Sequence, residues 1–461
     1  MTTTAERSTH AALAELLRGQ VILPGDEDYD EARQVYNGMI DRRPAVIARC
    51  RDATDVMNAV TYGREQGLEI AIRGGAHNAN GLGVWDGALV VDLSLMNGVD
   101  VDPGQRIARV QGGATWGDVD HATSGFGLAV PSGILSTTGV GGLTLGGGVG
   151  NLARRFGLTV DNLLSADVVL ADGSMVRASE TSHPDLYWAL RGGGGNFGVV
   201  TSFEFRCHDV SNVTAGPVLY DIADTAEVMR WYRETQPNLP PDLSGWFGIL
   251  TVPPAAPFPE ELWLRKACGV VWCYVGDPAN AAQVMESVRS FGSPILDGVQ
   301  EMPFTALQSA FDALYPPGLQ WYWRADFFRE ISDDAIEVHE KFGAELPTPF
   351  STMHLYPIDG VVHQVGQQET AFAYRDVGWA GVIVGVDPDP KNAKVLKDWT
   401  VDYWEALHPT SAGGAYVNFM MDEGQERVKA SYGPNYDRLA RVKKTYDPQN
   451  IFHINQNIKP N

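Results

Sequence analysis

Cysteine is scarce in this chain, and where it falls excludes a metal-binding framework. Four cysteines occur, Cys50, Cys207, Cys268 and Cys273, at spacings that suit no metal centre. Cys268 and Cys273 stand in the apolar run Ala267 to Val275, which reads as a strand, so buried free thiols are expected rather than a disulfide. That usage fits a reducing compartment. Long hydrophobic runs are missing as well. No apolar stretch approaches the ~18 residues of a membrane span, and Met1 to Gln20 has no signal-peptide core. Leu13, Leu16 and Leu17 suit a short amphipathic helix there instead, and a cytoplasmic location is the expectation. Positive charge is in deficit: 35 Lys and Arg stand against 57 Asp and Glu, a formal net charge of −22. Such a surface repels nucleic acid and anionic lipid, so neither is expected as a partner. The G-x-x-x-x-G-K-[ST] pattern is absent, which excludes a P-loop. No glycine fingerprint opens a helix with an acidic residue ~20 positions on, which argues against a conventional Rossmann domain.

Glycine is plentiful, with 50 residues, and it is clustered. Ile70-Ala71-Ile72-Arg73-Gly74-Gly75-Ala76-His77-Asn78 reads as a buried strand, a glycine turn and one histidine at the exit. Glycines without Cβ let a ligand approach the backbone, and closely spaced amides form concave anion sites. A second cluster runs from Gly133 through Gly139-Val140-Gly141-Gly142 to Gly146-Gly147-Gly148-Val149-Gly150. A third is Arg191-Gly192-Gly193-Gly194-Gly195-Asn196-Phe197-Gly198-Val199-Val200. One such cluster makes a turn. Three on separate elements suit a long cofactor whose pyrophosphate is gripped by amides.

The 461 residues, 44% hydrophobic, are enough for two or three domain-sized units with a large core. Helical spacing is expected at Asp28–Ile40 and Thr54–Gln66, the latter capped by Asp52 and stopped by Gly67. Short strands are expected at Ala45–Ala48, Leu68–Ile72, Leu89–Asp92, Ile107–Gln111, Asp167–Leu170 and Val199–Phe205, with a hairpin turn at Asp172-Gly173-Ser174. Helices between apolar strands indicate an α/β or α+β architecture. Beyond Val210 the glycine clusters vanish and aromatics multiply, among them Trp246, Trp272, Trp321 and Trp323. Short strands alternating with helices such as Thr225–Tyr232 and Asn280–Phe291 are expected there, and Val252 to Pro259 reads as a stiff surface loop.

At this point the chain resembles a known family, the berberine bridge enzyme-like branch of the vanillyl-alcohol-oxidase (PCMH-type) flavoproteins. The resemblance rests on Arg73 to His77, Gly139 to Gly142, Arg191 to Val200, and Tyr446-Asp447-Pro448-Gln449-Asn450-Ile451-Phe452 followed by Gln456-Asn457-Ile458. It covers the chain from about residue 20 to the end, in the family's order. Bacterial members, hydroxynicotine oxidases and polyketide-tailoring flavin oxygenases, look nearest. The resemblance implies an α+β fold: a PCMH-type FAD-binding domain in two α/β subdomains, plus a substrate domain whose large antiparallel sheet is covered by helices. The implied boundaries are 1–212 for the FAD domain (core 40–210), 213–420 for the substrate domain, and 421–461 returning to the FAD domain. The cofactor implied is FAD, bound covalently through His77. Around it the resemblance places Arg73, Gly74, Gly75, Ala76, Asn78, Gly133, Thr137, Thr138, Gly141, Gly142, Gly147, Gly148, Asn151, Val200, Asn418 and Asn455. Many relatives add a second bond from a cysteine in Gly-x-Cys-Pro-x-x-Gly-x-Gly-Gly. Here Leu135 holds that place, so a single covalent link is expected.

The implied chemistry needs a substrate C–H aimed at the flavin and a base for the substrate's acidic proton. Met353-His354-Leu355-Tyr356 puts His354 and Tyr356 on one face of a strand, as base and hydrogen-bond partner or as structural residues. The family's usual Tyr-x-Asn-Tyr ends here in Tyr416-Val417-Asn418-Phe419, and Phe419 cannot ionise. A carboxylate known from plant relatives would fall near Gly381. Glu369, His363 and Tyr374 are weaker candidates. Thr138 is a candidate for contact with the flavin's reactive edge, or else a turn hydroxyl. Arg73 either approaches the flavin phosphates or pairs with an acid. Asn455, Gln456 and Asn457 either close the flavin pocket or lie on the surface. Three readings follow: an oxidase of a small-to-medium alcohol, amine or polyketide-type metabolite with O2 as electron acceptor; a flavin-dependent oxygenase of a polyketide; or a flavin-holding protein without turnover. The oligomeric state is left open.

Overall fold

The computed structural model describes residues 4–461, with side chains from His10 onward. The first three residues of the expected 1–212 unit lie outside the described residues. Three parallel strands, Val46–Arg49, Leu89–Asp92 and Ile70–Arg73, form a small sheet, with Gln20–Ile22 antiparallel at its edge. Each is a short β-branched run buried on both faces, as parallel strands are. The strand Ile70–Arg73 ends where Gly74 and Gly75 begin, so the sheet delivers the first glycine turn and His77 from a rigid base. The helix Ala53–Glu65 packs on this sheet; the Asp52 carboxylate accepts from the amides of Thr54 and Asp55 at 2.9 and 3.1 Å, the capping its sequence requires.

A second sheet of five antiparallel strands orders Val99–Asp102, Ile107–Gln111, Val199–Arg206, Leu163–Val169 and Met175–Ser179. The hairpin at Asp172-Gly173-Ser174 joins the last two, with Val169 opposite Met175. The largest sheet is antiparallel throughout. Its order is Leu296–Asp297, Asn212–Asp221, Lys266–Tyr274, Leu243–Thr251, Thr352–Pro357, Trp379–Asp387 and Gln320–Phe328, with Gln300–Pro303 paired to the second. The helices Thr225–Thr235, Asp333–Ala344 and Ala393–Leu407 supply Val228, Ile336 and Tyr403 to one of its faces, meeting Phe247, Cys268, Leu355 and Ile383. The other face, with Trp246, Val271, Tyr356, Val382 and Trp321, turns toward the glycine loops. Both faces are therefore buried, and alternation along each strand sorts its side chains between them.

Several expectations need correction. The strands of this half are long, mostly nine or ten residues, because burial on both faces hides the alternation that marks strand length. The expected helix at Asp28–Ile40 holds only over Tyr29–Ala32. Beyond it the chain docks on the large sheet: Gly38 N donates to Leu319 O at 2.7 Å, Gly318 N to Tyr36 O at 2.9 Å, and Trp321 N to Asn37 Oδ1 at 3.1 Å. In the N-terminal helix Thr4–Leu16, Leu13 is buried but Leu16 is exposed. Cys268 and Cys273, an odd number of residues apart, lie on opposite faces of one strand, so they cannot pair; all four thiols are free and buried. No helix among the described residues is long and apolar enough to cross a membrane.

The last forty or so residues are held by a buried charge. Lys443, on the helix Tyr436–Tyr446, donates to Asp447 Oδ2 at 2.7 Å, Asn196 O at 2.6 Å and Phe452 O at 2.8 Å. Asp447 also accepts from the amides of Ile451 and Phe452. Both side chains are fully buried. Removing one partner strands the other's charge. Lys443→Met is expected to lower unfolding stability by about 3–5 kcal/mol, read from denaturant curves.

Candidate active site

One cavity of about 380 Å³ runs from the glycine loops to the large sheet. On its cofactor side lie Gly74, Gly75, Ala76, His77, Asn78, Gly133, Thr138, Gly141, Gly142, Val200, Asn418 and Asn455. Gly75 and Gly139 meet so closely that a Cβ on either would come within 2.5 Å of the other's backbone, which fixes the two loops against each other. The amides of Gly74 to His77, and those of Gly141 and Gly142, meet no acceptor among the described residues. A Cβ built on Gly142 or on Gly195, which lines the cavity from the third cluster, meets nothing within 4 Å and projects into open space. The Asn455 amide donates to Gly195 O and Phe452 O, while its buried Oδ1 has no partner. Free amides, glycine-shaped space and an unmatched acceptor fit a dinucleotide with a pyrophosphate and a heteroaromatic ring.

His77 follows Ala76, whose φ of +53° is a left-handed turn. The imidazole is half-buried and stacks on Tyr36, with ring centroids 3.7 Å apart and planes at 23°. Its Nε2 lies 3.4 Å from Thr137 Oγ1. Burial lowers its pKa to about 4, so the ring is neutral and nucleophilic at neutral pH. Tyr36 in turn donates to the Tyr315 carbonyl and packs on Trp321.

Opposite, the sheet presents a hydrogen-bonded chain. Thr352 Oγ1 donates to Ile249 O at 2.7 Å, and a carbonyl can only accept. The threonine oxygen therefore accepts from His354 Nε2 at 3.0 Å, and the neutral ring's Nδ1 accepts from the Tyr356 hydroxyl at 2.7 Å. Burial depresses the His354 pKa to about 3 and raises that of Tyr356 well above its ordinary value. Trp246 packs 4.8 Å from His354 and 5.6 Å from Tyr356, and Phe419 lies 5.8 Å from Tyr356.

Five residues expected on the cofactor do not line the cavity. Arg73 donates to Gln34 O and sits 3.9 Å from Asp92, the acid-paired alternative. Thr137 stands beside His77 rather than in the wall. Gly147 and Gly148, at φ +138° and +80°, are required by packing: Cβ atoms there would strike the Phe372 ring and the Thr159 hydroxyl. Asn151 donates to Gln308 Oε1 at 2.9 Å behind the second loop. The weaker candidates are structural: His363 bonds the Val377 carbonyl, Glu369 accepts from Gly366 N, and Tyr374 donates to Ala430 O. Gly381 faces Phe328 in the helix layer, so a carboxylate there would point away from the cavity; Val382 is the neighbour that points in. Thr138 makes no side-chain hydrogen bond to the described residues, unlike a turn hydroxyl. Phe258, on the loop expected at the surface, lines the cavity. Tyr36 and Tyr315 were missed because only tertiary contact joins them to the site, whereas Thr352 shares the strand face of His354 and Tyr356 and was within reach of the same alternation.

Backbone amides shaped for a dinucleotide, facing an aromatic chamber with a Tyr-His pair, define a cofactor-dependent oxidoreductase. Residues 44–179 match the family model described as an FAD binding domain, and residues 415–459 the one described as berberine and berberine like. An FAD-linked oxidoreductase of Dictyostelium discoideum is 32% identical over 451 residues, covering 97% of this chain and 96% of that protein. The (R)-6-hydroxynicotine oxidase of Paenarthrobacter nicotinovorans is 30% identical over 470 residues, covering 96% and 97%. The crystal structure of 6-hydroxy-D-nicotine oxidase from Arthrobacter nicotinovorans matches with a TM-score of 0.86 at 27% identity, covering 96% and 98%. The chain belongs to the berberine bridge enzyme-like family of FAD-linked oxidoreductases.

Neither Gly142 nor Gly195 has positive φ, so side chains are unstrained at both. Gly142→Leu or Gly195→Leu is expected to fill the cradle. The purified variant should lose most of its visible flavin absorbance while its melting temperature stays close to that of the apoprotein.

Proposed function

We propose that this protein is an oxidase that carries FAD on His77 through one covalent bond and oxidises a small-to-medium alcohol, amine or polyketide-type metabolite, with O2 as electron acceptor. The observation that supports it is the placing of neutral His77 and the His354–Tyr356 pair on opposite walls of one cavity. FAD held by the glycine-loop amides and His77 would supply the two-electron acceptor for the substrate's hydride and would pass those electrons to O2. His77 is set to hold the flavin: its ring plane is fixed by Tyr36, and Thr137 stands at Nε2. Leu135 lines the same cavity and can form no second bond.

Proton removal falls to Tyr356 and His354. The substrate's O–H or N–H donates to Tyr356 Oη as the phenolic proton moves to His354 Nδ1, whose lone pair is fixed in place by the Thr352–Ile249 anchor. Phe419 shapes the apolar wall beside this pair in place of an ionising group. The loss of that group favours the oxygenase reading as the alternative; oxygen-18 from O2 in the product would support it and stoichiometric peroxide would exclude it. The buried thiols and the acidic surface suit a reducing, cytoplasmic setting and a small-molecule substrate rather than nucleic acid or membrane.

Intact-mass measurement is expected to show an adduct of FAD's mass, and acid precipitation should leave the yellow colour on the chain. His77→Ala should release it. Colour in the wild-type supernatant overturns the covalent reading. Attachment to apoprotein should run at a constant rate above about pH 5 and slow as pH falls toward about 4, where imidazole is protonated. Tyr356→Phe is expected to slow anaerobic flavin bleaching by roughly 10²–10⁴-fold with flavin content unchanged. Because His354 stays neutral and Tyr356 stays protonated, the wild-type bleaching rate should be flat from about pH 5 to 9.

A further inference from the structure

His77 is gripped from two sides, and both grips lead to one short segment between the large-sheet strands Gln300–Pro303 and Gln320–Phe328. On one side Tyr36 stacks on the imidazole, and its hydroxyl donates to the Tyr315 carbonyl. On the other, Thr137 Oγ1 stands 3.4 Å from His77 Nε2. Thr137 is held through its neighbour. Ser136 donates from its amide to Asp312 Oδ1 at 3.1 Å and from its hydroxyl to Asp312 Oδ2. Asp312 and Tyr315 share one tight turn, closed by Tyr315 N donating to Asp312 O. Just upstream, on the helix Phe304–Ser309, the fully buried Gln308 donates to Ser132 Oγ at 2.7 Å and Gly133 O at 3.1 Å. Residues 308–315 therefore hold the stretch 132–136 at both ends, and the Tyr36 hydroxyl as well.

Ser136, Gln308 and Asp312 do not line the cavity, so they act through the residues they hold rather than on a ligand. What they hold bears on one step. Attachment joins an imidazole nitrogen to a methyl carbon of the flavin ring. One C–H and one N–H bond break and one C–N bond forms; two electrons pass through the flavin to O2, which leaves with the two protons as hydrogen peroxide. Such a step needs its reacting atoms ~3–3.5 Å apart and aligned, and a misplacement of ~1 Å can cost ~10²-fold in rate. His77 sits at the exit of a glycine turn, whose backbone gives the ring no fixed direction by itself. Stacking on Tyr36 sets the ring plane, and the Thr137 hydroxyl sets where Nε2 points within it.

We infer that Asp312 is a positioning residue for flavin attachment. Through Ser136 and Thr137, and together with Tyr315 through Tyr36, it aims the His77 ring, so the bond forms only once the large sheet has docked on the glycine loops. The inference rests on the covalent reading of His77. The full-length chain, made in riboflavin-starved cells, is mixed with FAD and quenched in acid at intervals, and intact mass gives the fraction carrying the adduct. Attachment is expected to be roughly 10²-fold slower in Asp312→Ala than in wild type. Ser136→Ala, the milder change should Asp312→Ala fold poorly, is expected to be slowed as well. Asp312→Asn should react at close to the wild-type rate, because its amide still accepts from the Ser136 N–H and can donate to the hydroxyl. Combined with His77→Ala, Asp312→Ala should bind FAD as tightly as His77→Ala alone, read by quenching of flavin fluorescence. Wild-type attachment rates in both Asp312→Ala and Ser136→Ala, an Asp312→Asn protein as slow as Asp312→Ala, or FAD binding weakened in step with attachment would each overturn the inference and leave the adduct on His77 standing. A wild-type chain that gains no mass from FAD overturns the covalent reading, and the inference with it.

Discussion

The strand Thr352–Pro357 lies between two hydrophobic layers, and everything at the reacting end of the cavity depends on that double burial. Met353 and Leu355 are buried against the helices, while Thr352, His354 and Tyr356 face the cavity. Side chains repeat every two residues along a strand, so a slip of one residue would send the histidine and tyrosine into the helix layer. The register is held from both sides: Gly248 opposes His354 on one neighbour and Val382 on the other. The apolar residues on the helix side thus position the polar residues on the cavity side.

The cofactor end is built on the opposite principle. There the sheet is small and parallel, and the contact with the ligand is left to backbone. Gly75 against Gly139 locks two loops at a separation no other residue permits, and the amides left without a partner are free to bind an anion. The docking of residues 36–38 on the Gln320–Phe328 strand ties the two ends together. Tyr36 stacks on His77 with its ring, bonds Tyr315 with its hydroxyl and packs on Trp321, so one residue reads the geometry of both halves.

Much of this was legible in the chain. The three glycine clusters, the histidine after the first of them and the shared face of His354 and Tyr356 depend on local spacing, and local spacing survives folding. What was not legible depends on pairing between distant segments. The helical pattern at Asp28–Ile40 lost to hydrogen bonds with Leu319, Gly318 and Trp321, nearly three hundred residues on, which no window contains. Arg73 adjoins a glycine turn yet turns to Asp92 and Gln34, because a guanidinium beside a buried aspartate is better satisfied there. Gly147 and Gly148 resemble ligand-cradling glycines in sequence, but their freedom is used for contact with Phe372 and Thr159. Gly381 shows the same limit at single-residue scale: its neighbour Val382 faces the cavity, and only the register reveals which of the two does.

Charge was the least local property of all. The chain as a whole is strongly acidic, yet no Asp, Glu, Lys or Arg side chain lines the cavity. Excess carboxylates on the surface and none at the site are two sides of one constraint. A chamber walled by tryptophan, valine and glycine has little to solvate an ion, so the ionisable groups it does contain are driven to their neutral forms: His77 and His354 downward, Tyr356 upward. Neutrality gives each its chemistry. An unprotonated His77 has a lone pair to bond with, and an unprotonated His354 has one to receive a proton. The same low polarity keeps both histidines unprotonated, and at His354 it also disfavours the imidazolium, so the proton relay requires the substrate's proton and hydride to leave in step.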